Sequence, residues 1–293
     1  MKAGTAQLSP VVAGTWRMAS WGWPVATRLR WIEQCIELGV TSFDHADIYG
    51  DYAVETLFGE ALAAAPGLRD RLQLVGKCGI KRVSSQRPQH AIKSYDSSCA
   101  HVTASVEASL RSLHTDRLDL LLIHRPDALM DPDELAETFR SLRAAGKVLR
   151  FGVSNHSPAQ FALLHRRIPL ETNQIEFSPL QLQALADGTL EQCLDLGLRP
   201  MVWSALAGGR LFTADDAQTQ RVREILDALA RAHGVSVATV AYAWILRHPA
   251  RPRPITGSGR IEAVAEAVAA LSLRLPAEDW YRVWRASAGQ DVA

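Results

Sequence analysis

The chain has 293 residues, with 32 Lys+Arg against 31 Asp+Glu, and is 47% hydrophobic and 22% charged. This excludes a mainly disordered chain, which needs high net charge and few apolar residues. A net charge of +1 argues against nucleic-acid binding, which needs a basic face to displace phosphate counterions, and no apolar run approaches the roughly 20 residues of a membrane span.

The opening residues Met1, Lys2, Ala3, Gly4 and Thr5 lack the apolar region of a secretory signal, so a cytoplasmic location is expected. Short β-rich runs then alternate with helical stretches. A strand over residues 10–13 leads to a helix over 28–38, whose Leu29, Ile32, Cys35 and Ile36 share one face. Strands over 40–43 and 72–75 follow, then a helix over 97–113 with Val102, Val106 and Leu110 four apart. A strand over 118–123 precedes a helix over 132–145, with Asp131 as a good N-cap, Pro132 in the first turn and Gly146 at its end. Strands over 149–153, 172–175 and 199–203 come next. Helices over 225–230 and 237–246, a strand over 252–255 and a tail helix over 276–286 complete the order.

Strand–helix alternation at this period predicts parallel strands joined by right-handed crossovers. Eight strands with no linker between them imply one α/β domain over 1–293, a (β/α)8 TIM barrel with extra helices. An open doubly wound sheet would carry G-x-G-x-x-G after its first strand, and none follows residues 11–16.

In such a barrel the chemistry gathers where strands end. The second strand runs into Asp44 and Tyr49, the third into Lys77 and the fourth into His124. Singly, each has an ordinary reading: a helix cap, a loop residue, a solvated charge, a satisfied core histidine. Together they bring an acid, a phenol, an amine and an imidazole to one mouth. A free tyrosine, with a pKa of about 10, is too weak an acid to be an ideal proton donor near neutral pH. Lys77 is expected to lower the pKa of Tyr49, and Asp44 to hold Lys77 in place. Cys78 alternates with Lys77 and should face the helix layer. The cysteines Cys35, Cys78, Cys99 and Cys193 form no C-x-x-C pair, which suits a reducing compartment, and no metal-ligand cluster is present.

The segment from Phe43 through Asp44, Ala46, Tyr49 and Gly50, followed by Gly59, Glu60, Ala61 and Leu62, resembles the aldo-keto reductase signature. The likeness is greatest to bacterial reductases with an FDHADIYG box and a C-terminal GSG-basic loop. It continues in order through Lys77, His124, Ser154, Asn155, Asn173, Gln174, Trp203 and the run Gly257, Ser258, Gly259, Arg260. The resemblance implies a reductase of aldehydes and ketones that uses NADPH, with Asp44, Tyr49, Lys77 and His124 as its catalytic tetrad, Tyr49 giving the proton to the developing alkoxide and His124 orienting the carbonyl oxygen. It places Ser154, Asn155 and Gln174 at the nicotinamide carboxamide and Trp203 against the ring. Ser204, Leu206, Gly208 and Arg210 would follow the pyrophosphate, with Thr15, Trp16 and Arg17 bordering the nicotinamide. Gly257, Ser258, Gly259 and Arg260 open a helix whose N–H groups suit phosphate, and Arg260 is expected to read the 2′-phosphate. Glu266 matches an adenine-side position. Ala263 and Ala267 replace an arginine and an asparagine common in relatives, which implies thinner adenine contacts, and Ala205 replaces a common proline.

For the substrate, Trp16, Trp21, Trp23 and Tyr52 either line an apolar mouth or pack the first loop over the rim, and the sequence leaves both readings open. The expected partner is a small carbonyl compound, and nothing fixes an oligomeric state. Two other functions compete: a quiet, cofactor-sensing subunit, and a Schiff-base aldolase using Lys77. The complete tetrad opposes the first, and the second leaves Ser154, Asn155 and the glycine loop unexplained.

Overall fold

The computed structural model describes residues 8–291, so the reading of residues 1–5 and the outer ends of the 1–293 domain lie outside the described residues. Eight strands are parallel and close on themselves in the order β1, β10, β9, β8, β7, β6, β3, β2. They are β1 (Val12–Gly14), β2 (Ser42–Asp44), β3 (Gln73–Cys78), β6 (Leu120–Ile123), β7 (Phe151–Ser154), β8 (Asn173–Glu176), β9 (Met201–Trp203) and β10 (Arg253–Thr256). All eight fall at the predicted runs, displaced toward the mouth by up to three residues. The chain is a (β/α)8 barrel. The remaining strands, β4 (Ile80–Lys81) and β5 (Ser94–Tyr95), form an antiparallel ribbon apart from the barrel, which the sequence reading did not foresee.

Alternation along each strand divides the apolar residues into two cores. Val12, Val75, Leu120, Leu122, Met201 and Ile255 fill the barrel interior with Leu8. Residues between them, such as Phe43, Leu74, Leu121, Val153 and Val202, face outward to the helices in the larger core.

The helices are α1 (Val25–Glu37), α2 (Val54–Ala63), α3 (Cys99–Ser112), α4 (Pro132–Ala144), α5 (Pro158–His165) and α6 (Thr189–Asp195). After them come α7 (Arg210–Thr213), α8 (Ala217–His233), α9 (Val237–Leu246), α10 (Ile261–Ala269) and α11 (Ala277–Ala288). Helix α4 begins as predicted: the Asp131 carboxylate accepts from the N–H groups of Asp133 and Glu134, and Gly146 takes a left-handed φ of 72° after its end. Helix α8 starts well before the predicted 225–230. Asp216 caps it, and its apolar stripe of Val222, Leu226 and Leu229 is diluted by the charged residues between. Gly59 lets α2 meet the end of α3, since a Cβ there would lie 2.0 Å from the Ser112 carbonyl. The tail helix α11 docks on α8, and Trp280 and Trp244 of α9 stack 5.1 Å apart, each indole N–H donating to the other's carbonyl. Among the described residues no single helix is long and apolar enough to cross a membrane.

Candidate active site

Strands β2 and β3 pair with Asp44 opposite Val75, so Lys77 rises two residues higher on the same inner face. There the Lys77 ammonium is 1% exposed and donates three hydrogen bonds: to Asp44 Oδ2 at 2.6 Å, the His45 carbonyl at 2.8 Å and the Tyr49 hydroxyl at 3.0 Å. A buried charge persists only when paired and fully hydrogen-bonded, and this one is. From across the barrel, Gln174 on β8 donates its amide to Asp44 Oδ1 at 2.7 Å. His124, just past β6, sets its ring edge-on to Tyr49 with centroids 5.9 Å apart. The four residues read from the strand ends therefore form one cluster.

Burial works to lower the Lys77 pKa, but Asp44 and Tyr49 outweigh it and hold the ammonium above the ordinary lysine value. Burial raises the Tyr49 phenol, and the opposing pull of Lys77 does not overcome it while Asp44 adds to the rise. The expectation that Lys77 brings Tyr49 below its ordinary pKa is thus corrected for this state. A dry wall penalises phenolate, and Asp44 cancels much of the field that Lys77 would exert. Tyr49 at neutral pH is a protonated donor held by a cation. Burial, then Lys77, Arg125 and Lys93, push the His124 pKa well below the usual histidine range, so its imidazole is neutral. Its Nδ1 is buried with no hydrogen-bond partner among the described residues.

A cavity of about 1200 Å³ opens over this cluster and runs toward β9 and β10. That exceeds the roughly 300–1,000 Å³ of common small-molecule pockets and suits an extended ligand beside a small one. Along it the Trp203 indole donates to Asn155 Oδ1 at 3.0 Å, the Asn155 amide to Ser154 Oγ at 2.7 Å, and Ser154 Oγ to the Gln174 carbonyl at 2.9 Å. Asn155 holds a left-handed φ of 58°, which asparagine tolerates well. Ser204, Leu206, Gly208, Gly257, Ser258, Gly259, Arg260 and Glu266 continue the wall, with Trp16, Trp21 and Trp23. A Cβ on Gly259 would come within 2.7 Å of Trp23 and 3.0 Å of Trp21, so these two indoles belong to the floor of the 257–260 loop. Neither Ser258 nor Gly259 spends its backbone N–H within the described residues, and α10 begins immediately beyond. Arg260 makes no ion pair among the described residues and lines the same cavity.

Of the residues expected to meet cofactor or substrate, three lie off the wall. Thr15 is buried behind it, its hydroxyl donating to the Asp44 carbonyl and meeting His45 Nδ1. Tyr52 turns outward beneath Arg87, whose guanidinium sits 4.4 Å over its ring, and accepts from the Arg82 N–H. Arg210 is drawn to Asp216 at 3.4 Å, and Arg17 holds the Gly208 carbonyl at 2.9 Å where the loop crosses the cavity. Cys78 faces the helix layer as expected. The sequence reading missed Arg125 and Lys93 on the cavity wall. Arg125 could have been found, since it follows His124 at a strand end. Lys93 sits before β5 of the unforeseen ribbon, and the only signal was a segment between β3 and α3 too long for an ordinary βα loop. The Gln174 bond to Asp44 left no trace, being a contact across the barrel.

A barrel with this cluster at its mouth meets its match in sequence: the profile of the aldo/keto reductase family covers residues 10–287, and the chain belongs to that family of oxidoreductases. It is 48% identical over 288 residues to oxidoreductase YdhF of Escherichia coli, spanning 98% of this chain and 96% of that one. It is 39% identical over 291 residues to a 6-dehydroglucose reductase of Agrobacterium fabrum, spanning 98% and 97%. Among solved structures, an aldo-keto reductase of Klebsiella pneumoniae in complex with NADPH superposes with a TM-score of 0.78 at 29% identity, covering 96% of this chain and 91% of that one.

Proposed function

We propose that this chain reduces aldehyde or ketone carbonyls to alcohols with NADPH, Tyr49 giving the proton. The observation that carries the reading is the Lys77 ammonium bonded at once to Asp44 and to the Tyr49 hydroxyl, with His124 alongside. The residues present fit the dinucleotide. The unspent N–H groups of Ser258 and Gly259, the start of α10 and the unpaired Arg260 converge on one stretch of wall, an arrangement that suits phosphates. NADPH bound there supplies the hydride that the carbonyl carbon accepts. The nicotinamide end is assigned to Asn155, Ser154 and Trp203, and the 2′-phosphate to Arg260, whose fork matches phosphate oxygens.

Tyr49 donates its proton to the carbonyl oxygen as charge develops there, and Lys77 stabilises the phenolate left behind. Its pull on the phenol is weak before reaction and grows as the proton leaves, so the stabilisation falls on the transition state. Asp44 and Gln174 fix the position of Lys77. Neutral His124 offers an N–H to the same carbonyl oxygen and orients it.

The competing aldolase reading needs an unprotonated lysine. Lys77 is instead bound by three acceptors and held as ammonium, the wrong state for attacking a carbonyl. Loss of reduced-nicotinamide absorbance with 4-nitrobenzaldehyde tests the proposal. Turnover that Tyr49→Phe lowers roughly 10²–10⁴-fold is expected, whereas cofactor binding with no turnover of any carbonyl would favour a sensing subunit.

A further inference from the structure

The charged residues of the cavity are distributed unlike those of the whole chain. Overall charge is nearly balanced, yet the wall carries Arg17, Arg82, Lys93, Arg125 and Arg260 against two carboxylates, Asp44 and Glu266. Asp44 is consumed by Lys77 and Gln174, and Glu266 lies on α10 beyond Arg260. Arg260 and Arg17 border the 257–260 loop, where the cofactor reading places phosphates. Lys93 and Arg125 lie elsewhere: both act electrostatically on His124, at the end of the cavity where the carbonyl is reduced.

Arg125 is held by stacking. Its guanidinium carbon lies 5.4 Å over the Trp203 ring, and no carboxylate comes within ion-pair distance of it among the described residues. Glu176, at the end of β8, feels both Arg125 and Arg210 without forming an ion pair with either among the described residues. Lys93 likewise makes no ion pair among the described residues. Two unpaired cations beside a buried proton donor raise the local concentration of anions and bind them strongly once water is displaced. Stacking also fixes the plane of the guanidinium while leaving its N–H edge free for a two-oxygen acceptor.

We propose that Arg125 and Lys93 select carbonyl substrates carrying an anionic group, a carboxylate or a phosphate, within a few atoms of the carbonyl. This rests on the carbonyl-reductase reading and adds a substrate class to it. Arg125 is the orienting contact, and Lys93, more exposed at the rim, draws the anion in.

The test compares kcat/KM for matched pairs in the intact protein: succinic semialdehyde against butanal, and glyceraldehyde phosphate against glyceraldehyde. The anionic member of at least one pair should be preferred by about 10–100-fold, the size of one or two charge-assisted hydrogen bonds. Which pair shows it separates carboxylate from phosphate. Arg125→Gln should collapse that ratio toward one and Arg125→Lys should keep part of it, while Lys93→Gln should lower it less. Loss of packing over Trp203 would slow both members alike and leave the ratio standing. In the wild-type protein the preference should shrink as salt rises, a readout that requires no variant. Turnover of the neutral aldehydes with no anionic preference, or a preference indifferent to Arg125→Gln, overturns this inference and spares the reductase reading. No turnover of any carbonyl overturns both.

Discussion

The wall formed by β2 and β3 carries acids on both faces, and they behave differently. On the inner face Asp44 meets Lys77 at 2.6 Å and accepts from Gln174. Three residues later Asp47 passes behind the wall, where Ser105 donates to one carboxyl oxygen at 2.7 Å and the other has no hydrogen-bond partner among the described residues. Burial pushes Asp47 up to about 6, with the Ser105 bond opposing. Glu55 of α2 joins it there, pushed up to about 8 by burial with Asp47 adding to the rise. Cys78, one residue after Lys77, faces the same side and is held well above the ordinary thiol pKa, first by burial. Both faces are buried, so burial alone does not make a reactive site. The inner face has a cation within hydrogen-bonding distance of an acid and a phenol, whereas the outer face buries acids with no such cation, and their pKa values rise above the ordinary carboxyl range.

The comparison breaks most visibly at Tyr49. Tyr49→Phe removes the proton donor and keeps the ring, so kcat should fall roughly 10²–10⁴-fold with cofactor affinity little changed. Steady-state kinetics at near wild-type rates would remove Tyr49 from its role.

Lys77 and Asp44 should act as a unit. Lys77→Met should cost about as much as the loss of Tyr49, and adding Asp44→Asn should cost little more, because each depends on the other. A double-mutant cycle in which the two losses simply add would argue that the ion pair has no part in turnover.

Farther along the cavity, Arg260 is a cation away from the β2–β3 pair, exposed and without an ion pair among the described residues. Arg260→Ala should weaken NADPH by about 10–100-fold and scarcely change NADH, as loss of a charge-assisted phosphate contact requires. Equal weakening of both dinucleotides in fluorescence titration would mean that Arg260 does not read the 2′-phosphate.

The smallest effect belongs behind the wall. With its pKa raised to about 8, folded Glu55 keeps a proton that the unfolded chain gives up near an ordinary carboxyl pKa of about 4.3. Between those values the unfolded state binds fewer protons, so stability falls as pH rises. Glu55→Gln should remove that slope. Its Tm should match wild type near pH 4 and exceed it by several degrees near pH 8. Calorimetry showing a pH-independent difference would mean that Glu55 does not titrate in this window.

Much of this was legible in sequence because it is periodic or local. Alternating runs gave eight strands, Asp131 with Pro132 marked the start of α4, and the strand ends named Asp44, Tyr49, Lys77 and His124. The start of α8 was not legible, since charged residues interrupt its apolar stripe. Neither was the β4–β5 ribbon, whose two-residue strands have no period to detect.

The sequence by itself determined that Asp44 and Lys77 rise toward the mouth and that Cys78 faces the helices, because a strand's period of two and its end point assign each residue a face. Only the tertiary structure decided what those side chains meet. Gln174 reaches Asp44 across 130 positions of sequence, and Arg210 turns away from the cavity to Asp216. Trp21 and Trp23 settle under Gly259, and the phenol of Tyr49 rises where its neighbouring lysine alone would lower it. These outcomes depend on distance and on the exclusion of water, which arise only once the barrel has closed.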